Sequence, residues 1–194
     1  MKKLLITGFD PFGGETINPA WEAVKALPDR IGDYELNKEM IPTVFGEAAQ
    51  TVLELAEKIK PDVILCVGQA GGRSAVTPER IGINLQKARI PDNKGNQPNQ
   101  SPIMEGGPDG LFATVPVDKM AEAICQAGLL GQVSNTAGTF VCNDTLYALL
   151  YAYRGSAVRV GFIHVPFLPE QGQPSMELLD TVKALAAAIS ALDS

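Results

Sequence analysis

The chain has 194 residues, enough for one compact domain with its own core, and its 45% hydrophobic and 20% charged content is that of an ordinary soluble globular protein. A formal net charge of −6 argues against a nucleic-acid partner, because phosphate binding needs a basic face. Three cysteines in no metal-type or redox-type spacing, and a single histidine, leave too few ligands for a His/Cys metal site, and no cofactor is expected.

The opening MKKLLITGFDPFGG has an apolar run too short for a signal peptide, and no stretch approaches the ~20 apolar residues of a membrane span. The expected setting is the cytoplasm, with thiols kept reduced. Lys3 to Thr7 reads as a buried strand. Gly8 to Asn18 is a Gly/Pro loop carrying Phe9 and Phe12, and Asn18-Pro19 opens a helix that Pro28 ends. Tyr34 to Ile41 reads as a strand. Glu47 to Ile59 is an amphipathic helix, with Ala49, Val52, Leu53, Ala56 and Ile59 on its apolar face. Asp62 to Val67 is a nearly continuous apolar run, as in a strand covered on both faces, and Cys66 inside it belongs to the core.

Gly68 to Glu79 is a second loop beyond a strand, with Gln69, Arg73 and Glu79 as its polar side chains. It lacks the spacing of a phosphate-binding loop. Ile81, Ile83 and Leu85 alternate as in a short strand. The Pro- and Asn-rich segment 86–110 reads as a long irregular loop serving as a lid, a subunit contact, or both. Leu111 to Val115 reads as a strand. Asp118 to Ala127 reads as a helix with Cys125 on or near its packed side. A helix then runs from about Cys142 to Arg154, and a strand from Ala157 to Val165. A final helix spans Ser175 to Leu192, with Met176, Leu179, Val182, Ala186 and Ile189 on one face. This alternation predicts one α/β domain over residues 1–194, a three-layer α/β/α sandwich around a mostly parallel or mixed sheet.

The stretch SNTAGTFVCNDTLY (134–147) carries the chemistry. Its small polar first half runs into a helix, and Cys142 sits at the junction. A thiol in the first helical turn meets unpaired N–H groups and the positive end of the helix dipole, which favour the reactive thiolate. His164 is the sole imidazole available to it, and falls at a strand end. The helix and strand between them can return the chain to the same edge of the sheet. A Cys–His pair needs a third group to hold the imidazole. Asp10, Glu79, Asp92 and Asp144 all qualify by position, and the residues alone do not choose among them. The two phenylalanines beyond the first strand invite a binding role, because ligands of α/β sheets sit past the strands' carboxyl ends.

The motifs ITGFDPFGG (6–14), GQAGGR with TPERIGIN (68–84), ARIPDNKGNQP (88–98), SNTAGTFVCNDTLY (134–147) and FIHVPFLPEQ (162–171) together resemble the pyroglutamyl-peptidase I family of cysteine peptidases. The resemblance implies removal of an N-terminal pyroglutamyl residue from peptides through a thioester. It implies a Cys142 nucleophile, a His164 general base and acid, and Glu79 as the orienting carboxylate. It implies a ring pocket built from Phe9 and Phe12 with Phe140 nearby, Gln69 reading the ring amide, and Arg89 close to the site. It further implies an α/β/α fold and a homodimer or homotetramer. Two rival readings use the same residues: an unreactive binding protein, and an amidase acting on small amides.

Overall fold

The computed structural model describes residues 1–194. Its elements in chain order are β1 (Lys2–Phe9), α1 (Pro19–Ala26), β2 (Arg30–Ile31), β3 (Tyr34–Ile41), α2 (Glu47–Ile59), β4 (Val63–Gln69), β5 (Thr77–Pro78) and β6 (Ile81–Ile83). They continue with β7 (Gln86–Lys87), β8 (Asn99–Ser101), β9 (Gly110–Phe112), α3 (Val117–Gln126), α4 (Val141–Ala152), β10 (Arg159–Val165) and α5 (Leu178–Ser190).

Six strands form one sheet in the order β2-β3-β1-β4-β10-β5. β3, β1, β4 and β10 run parallel, and the short edge strands β2 and β5 are antiparallel. The period-2 alternation of strand side chains divides the core in two. Leu4, Ile6, Val63, Leu65, Val67 and Ile163 face one side, where α1, α3 and α5 cover them. Leu5, Ile64, Cys66, Val160 and Phe162 face the other, under α2 and α4. The outcome is the expected α/β/α sandwich with a mixed sheet. Since the four long strands are parallel, the loops after Phe9, Ile41, Gln69 and Val165 all gather at one edge.

Several local expectations match: β3 and α2 have the expected bounds, and Asn18 Oδ1 caps α1 by accepting from Ala20 N at 3.0 Å. Others are corrected. β1 runs on through Phe9, so Phe9 is a strand residue and not a loop residue. β9 stops at Phe112, and Leu85 lies outside β6. Segment 86–110 is not structureless, because β7 and β8 pair within it. Cys125 is exposed: the packed stripe of α3 is Val117, Met120, Ala121 and Ile124, and one further residue turns by about 100° away from it. The packed stripe of α5 is Thr181, Ala184, Leu185, Ala188 and Ile189, which leaves Leu179 81% exposed. Of the expected face, Met176, Val182, Ala186 and Ile189 do pack on the core, and only Leu179 turns outward, because this Ala- and Leu-rich helix is apolar on more than one face.

Candidate active site

At the loop edge Gly68 and Cys142 approach closely. Gly68 follows Ile64 and Cys66 on the α4 side of β4, and a Cβ placed on it would lie 2.8 Å from Cys142 Sγ and 2.8 Å from the Phe162 ring. In the β4–β10 register Gly68 stands opposite His164. His164 shares the face of Phe162, with ring centroids 4.9 Å apart. Cys142 is the second residue of α4, so its sulfur is set down on the bare backbone of β4 beside the histidine. Replacing Gly68 with alanine should displace that sulfur. We expect kcat to fall at least about tenfold and alkylation of Cys142 to slow in parallel. An unchanged rate in a folded Gly68→Ala protein would contradict the close approach.

Glu79 reaches the same place from the connection between β5 and β6, where it is wholly buried. Its Oε1 lies 2.7 Å from His164 Nδ1 and 2.6 Å from Arg73 Nη1. Burial pushes the carboxyl up, but the hydrogen bond and charge of His164, with Ser134 and Arg73, outweigh it and hold Glu79 below its ordinary value. The ionised carboxylate only accepts, so His164 Nδ1 carries a hydrogen and Nε2 is the nitrogen left to exchange a proton. The Ser134 hydroxyl has one proton for two acceptors, the Thr136 carbonyl at 2.9 Å and Glu79. Turned to Thr136, it leaves Glu79 Oε2 buried without a partner.

The thiolate that the start of α4 favours is opposed by what surrounds Cys142. Burial pushes the Cys142 thiol up, and the Glu79 charge adds to this, while Arg73 and the Cys142 N–H only partly oppose it. Desolvation thus opposes the thiolate that the helix N-terminus favours, and a base beside the sulfur is needed to take its proton.

The other three carboxylates are engaged elsewhere. Asp10 Oδ1 accepts from Thr43 N at 2.7 Å and Asn93 Nδ2 at 3.1 Å. Asp92 accepts from the backbone of Phe45, Lys94 and Asn96. Asp144 accepts from Gly46 N at 2.9 Å and Gln86 Nε2 at 2.6 Å. Among the four candidates Glu79 alone touches His164.

Phe12 and Phe140 stand with centroids 5.9 Å apart, and Phe45 meets Phe140 edge-on at 5.2 Å. Phe12, Phe140, Thr139, Ile90, Arg89 and Lys87 line a cavity of about 270 Å³ two residues before Cys142. Phe9 does not line it; it is 2% exposed and packs on Phe162 beneath the site. Gln69 ends β4, and its Oε1 accepts from Gln171 Nε2 at 2.9 Å. Phe45, Gly68 and Gln171 escaped the sequence reading. Phe45 had the same signal as Phe12, an aromatic just past a strand's carboxyl end.

This edge is equipped for acyl transfer through sulfur, which makes the protein a cysteine-type hydrolase on an α/β/α scaffold. Comparison with known proteins narrows that class. The sequence matches the pyroglutamyl peptidase family over residues 2–194, and the chain belongs to that family, whose members are cysteine peptidases that remove N-terminal pyroglutamate. It is 55% identical to a pyrrolidone-carboxylate peptidase of Levilactobacillus brevis, over 98% of this chain and 97% of that one. It is 48% identical to the corresponding protein of Brevibacillus brevis, over 97% and 92%. The crystal structure of pyroglutamyl peptidase I from Bacillus amyloliquefaciens superposes with a TM-score of 0.95 at 46% identity, covering 99% of this chain and 97% of that one. The pyrrolidone carboxyl peptidase of Thermococcus litoralis gives 0.94 at 35% identity, covering 99% and 93%.

Proposed function

We propose that Cys142, His164 and Glu79 remove the N-terminal pyroglutamyl residue of peptides through a thioester, within one catalytic domain formed by residues 1–194. The observation that carries this reading is the 2.7 Å contact of His164 Nδ1 with buried Glu79, at the register position facing the glycine on which Cys142 Sγ rests. As Cys142 Sγ bonds to the pyroglutamyl carbonyl carbon, its proton passes to His164 Nε2. Unpaired N–H groups at the start of α4 receive the oxyanion. The imidazolium gives its proton to the departing amine as the C–N bond breaks. His164 then takes a proton from water, the resulting hydroxide cleaves the thioester, and the thiol is restored.

The flat, uncharged lactam enters the slot that Phe12 and Phe140 line side by side, with Phe45 behind Phe140 and Gln69, steadied by Gln171, at the ring amide. Phe9 supports this slot from below. An ordinary N-terminus would bring an ammonium into an aromatic slot whose charged lining residues, Lys87 and Arg89, are both cations. Desolvation and repulsion both exclude it. The Arg89–Ile90 stretch of the cavity wall supports a lid role for segment 86–110. Three free thiols fit a reducing, cytoplasmic setting, and no helix is long and apolar enough to cross a membrane. The homodimer or homotetramer is carried by the family resemblance.

The test is release of a chromogenic amine from a pyroglutamyl amide, beside prolyl and glutamyl amides, with and without iodoacetamide. Release from the pyroglutamyl compound alone, abolished by alkylation, is expected. Equal release from all three, or release that survives alkylation, would overturn the reading. Phe12→Ala should raise KM about tenfold with kcat within a few-fold, since it removes one face of the slot. An unchanged KM would place Phe12 outside the binding surface.

A further inference from the structure

Arg73 is the one cation in contact with the buried triad, and the mechanism above assigns it no step. Its Nη1 lies 2.6 Å from Glu79 Oε1 and 2.7 Å from Thr77 Oγ1, and its Nη2 donates to the Thr136 carbonyl at 2.9 Å. Three segments meet on one guanidinium: the loop after β4, the β5–β6 connection that carries Glu79, and the 134–140 turn that leads into Cys142. The oxygen it grips is the same oxygen that receives His164 Nδ1. A carboxylate held on one oxygen by a single donor could swing about its last bond. Two donors from different directions fix it.

We propose that Arg73 is a positioning residue for the triad: its guanidinium fixes the Glu79 carboxylate that orients His164, and ties that carboxylate to the turn that delivers Cys142. This rests on the triad assignment above. Arg73 also balances the Glu79 charge, so the four groups stay neutral overall before and after the proton moves from sulfur to imidazole. The surrounding groups do not supply this. Cys66 on β4 is a buried thiol pushed up to about 12 and therefore uncharged. Asp144 on α4 is turned to Gly46 and Gln86, Asp10 after β1 to Thr43 and Asn93, and Arg89 lies at the aromatic cavity.

The sign of the effect does not depend on which site loses its proton first. Removing a fixed cation makes every nearby proton harder to lose, so both limbs of the kcat/KM pH profile move upward. In Arg73→Gln we expect kcat/KM for a pyroglutamyl amide to fall about a hundredfold and both limbs to rise by about one pH unit. Arg73→Lys, which keeps the charge, should restore the limbs and part of the rate. Loss of rate with unmoved limbs would reduce Arg73 to a structural brace and overturn the proposal. The double variant Glu79→Gln/Arg73→Met leaves no unpaired charge buried, so it stays testable if Arg73→Gln does not fold. It should fall less than about tenfold below Glu79→Gln, against about a hundredfold for Arg73→Gln below the parent, because the charge that Arg73 balances is already gone and only its hold on the glutamine oxygen is lost. A further loss beyond about tenfold overturns the proposal. Full activity in Glu79→Gln itself would instead sink the triad assignment, so the two failures read differently.

Discussion

Cys142→Ala abolishes hydrolysis of the pyroglutamyl amide, lowering kcat/KM by at least about 10⁴-fold. The covalent step has no substitute, because Cys66 is buried in the core and Cys125 is exposed on α3, away from His164. The fold should survive. The Cys142 side chain makes no hydrogen bond that holds an element in place, and alanine suits the second position of a helix resting on a glycine. Circular dichroism should therefore match the parent protein while turnover vanishes. Brief mixing with substrate followed by mass measurement should show an acylated parent enzyme and no adduct on the variant. Turnover in the folded variant within tenfold of the parent would remove Cys142 from the nucleophile's role.

His164→Ala comes next, with an expected loss of about 10³-fold or more, because both the base that activates sulfur and the acid that protonates the amine disappear. Glu79→Gln should cost less, about 10- to 10²-fold. The carboxylate transfers no proton in this mechanism, and glutamine keeps one carbonyl oxygen for His164 Nδ1–H and Arg73, the only oxygen through which Glu79 engages either of them. What glutamine loses is the negative charge that favours the imidazolium. Rates for both variants across pH, with folding checked by thermal unfolding, decide the point. Equal losses in two folded proteins would mean that Glu79 does more than orient.

These expectations trace back to features of different legibility. The hydrophobic runs at 3–7, 62–67 and 157–165, and the helical period of 47–59, are local patterns, and the long elements and the layered fold follow from them. Cys142 and His164 were legible by scarcity and position: one thiol at a turn-to-helix junction, one imidazole at a strand end. The aromatic wall was half legible. Phe12 and Phe140 line it, but Phe9, which the resemblance puts in the wall, is carried into the core because β1 ends two residues beyond Thr7. In a strand a two-residue extension decides whether a side chain is loop or core.

The sequence by itself determined the order of the long strands and the helices, the layering that follows from it, and the pair of residues able to do sulfur chemistry. All of these rest on interactions between near neighbours or on composition. Only the tertiary structure decided the rest. The carboxylate that orients His164 stands 85 residues away from it in sequence, and four candidates shared the same local signature. Gly68 had to be glycine for a reason supplied by a helix more than seventy positions later. Burial also pushes the Cys142 thiol up, against the pull of the helix terminus. Desolvation and packing are set by what the completed fold brings around a group, and the residues on either side of it in the chain carry no record of that.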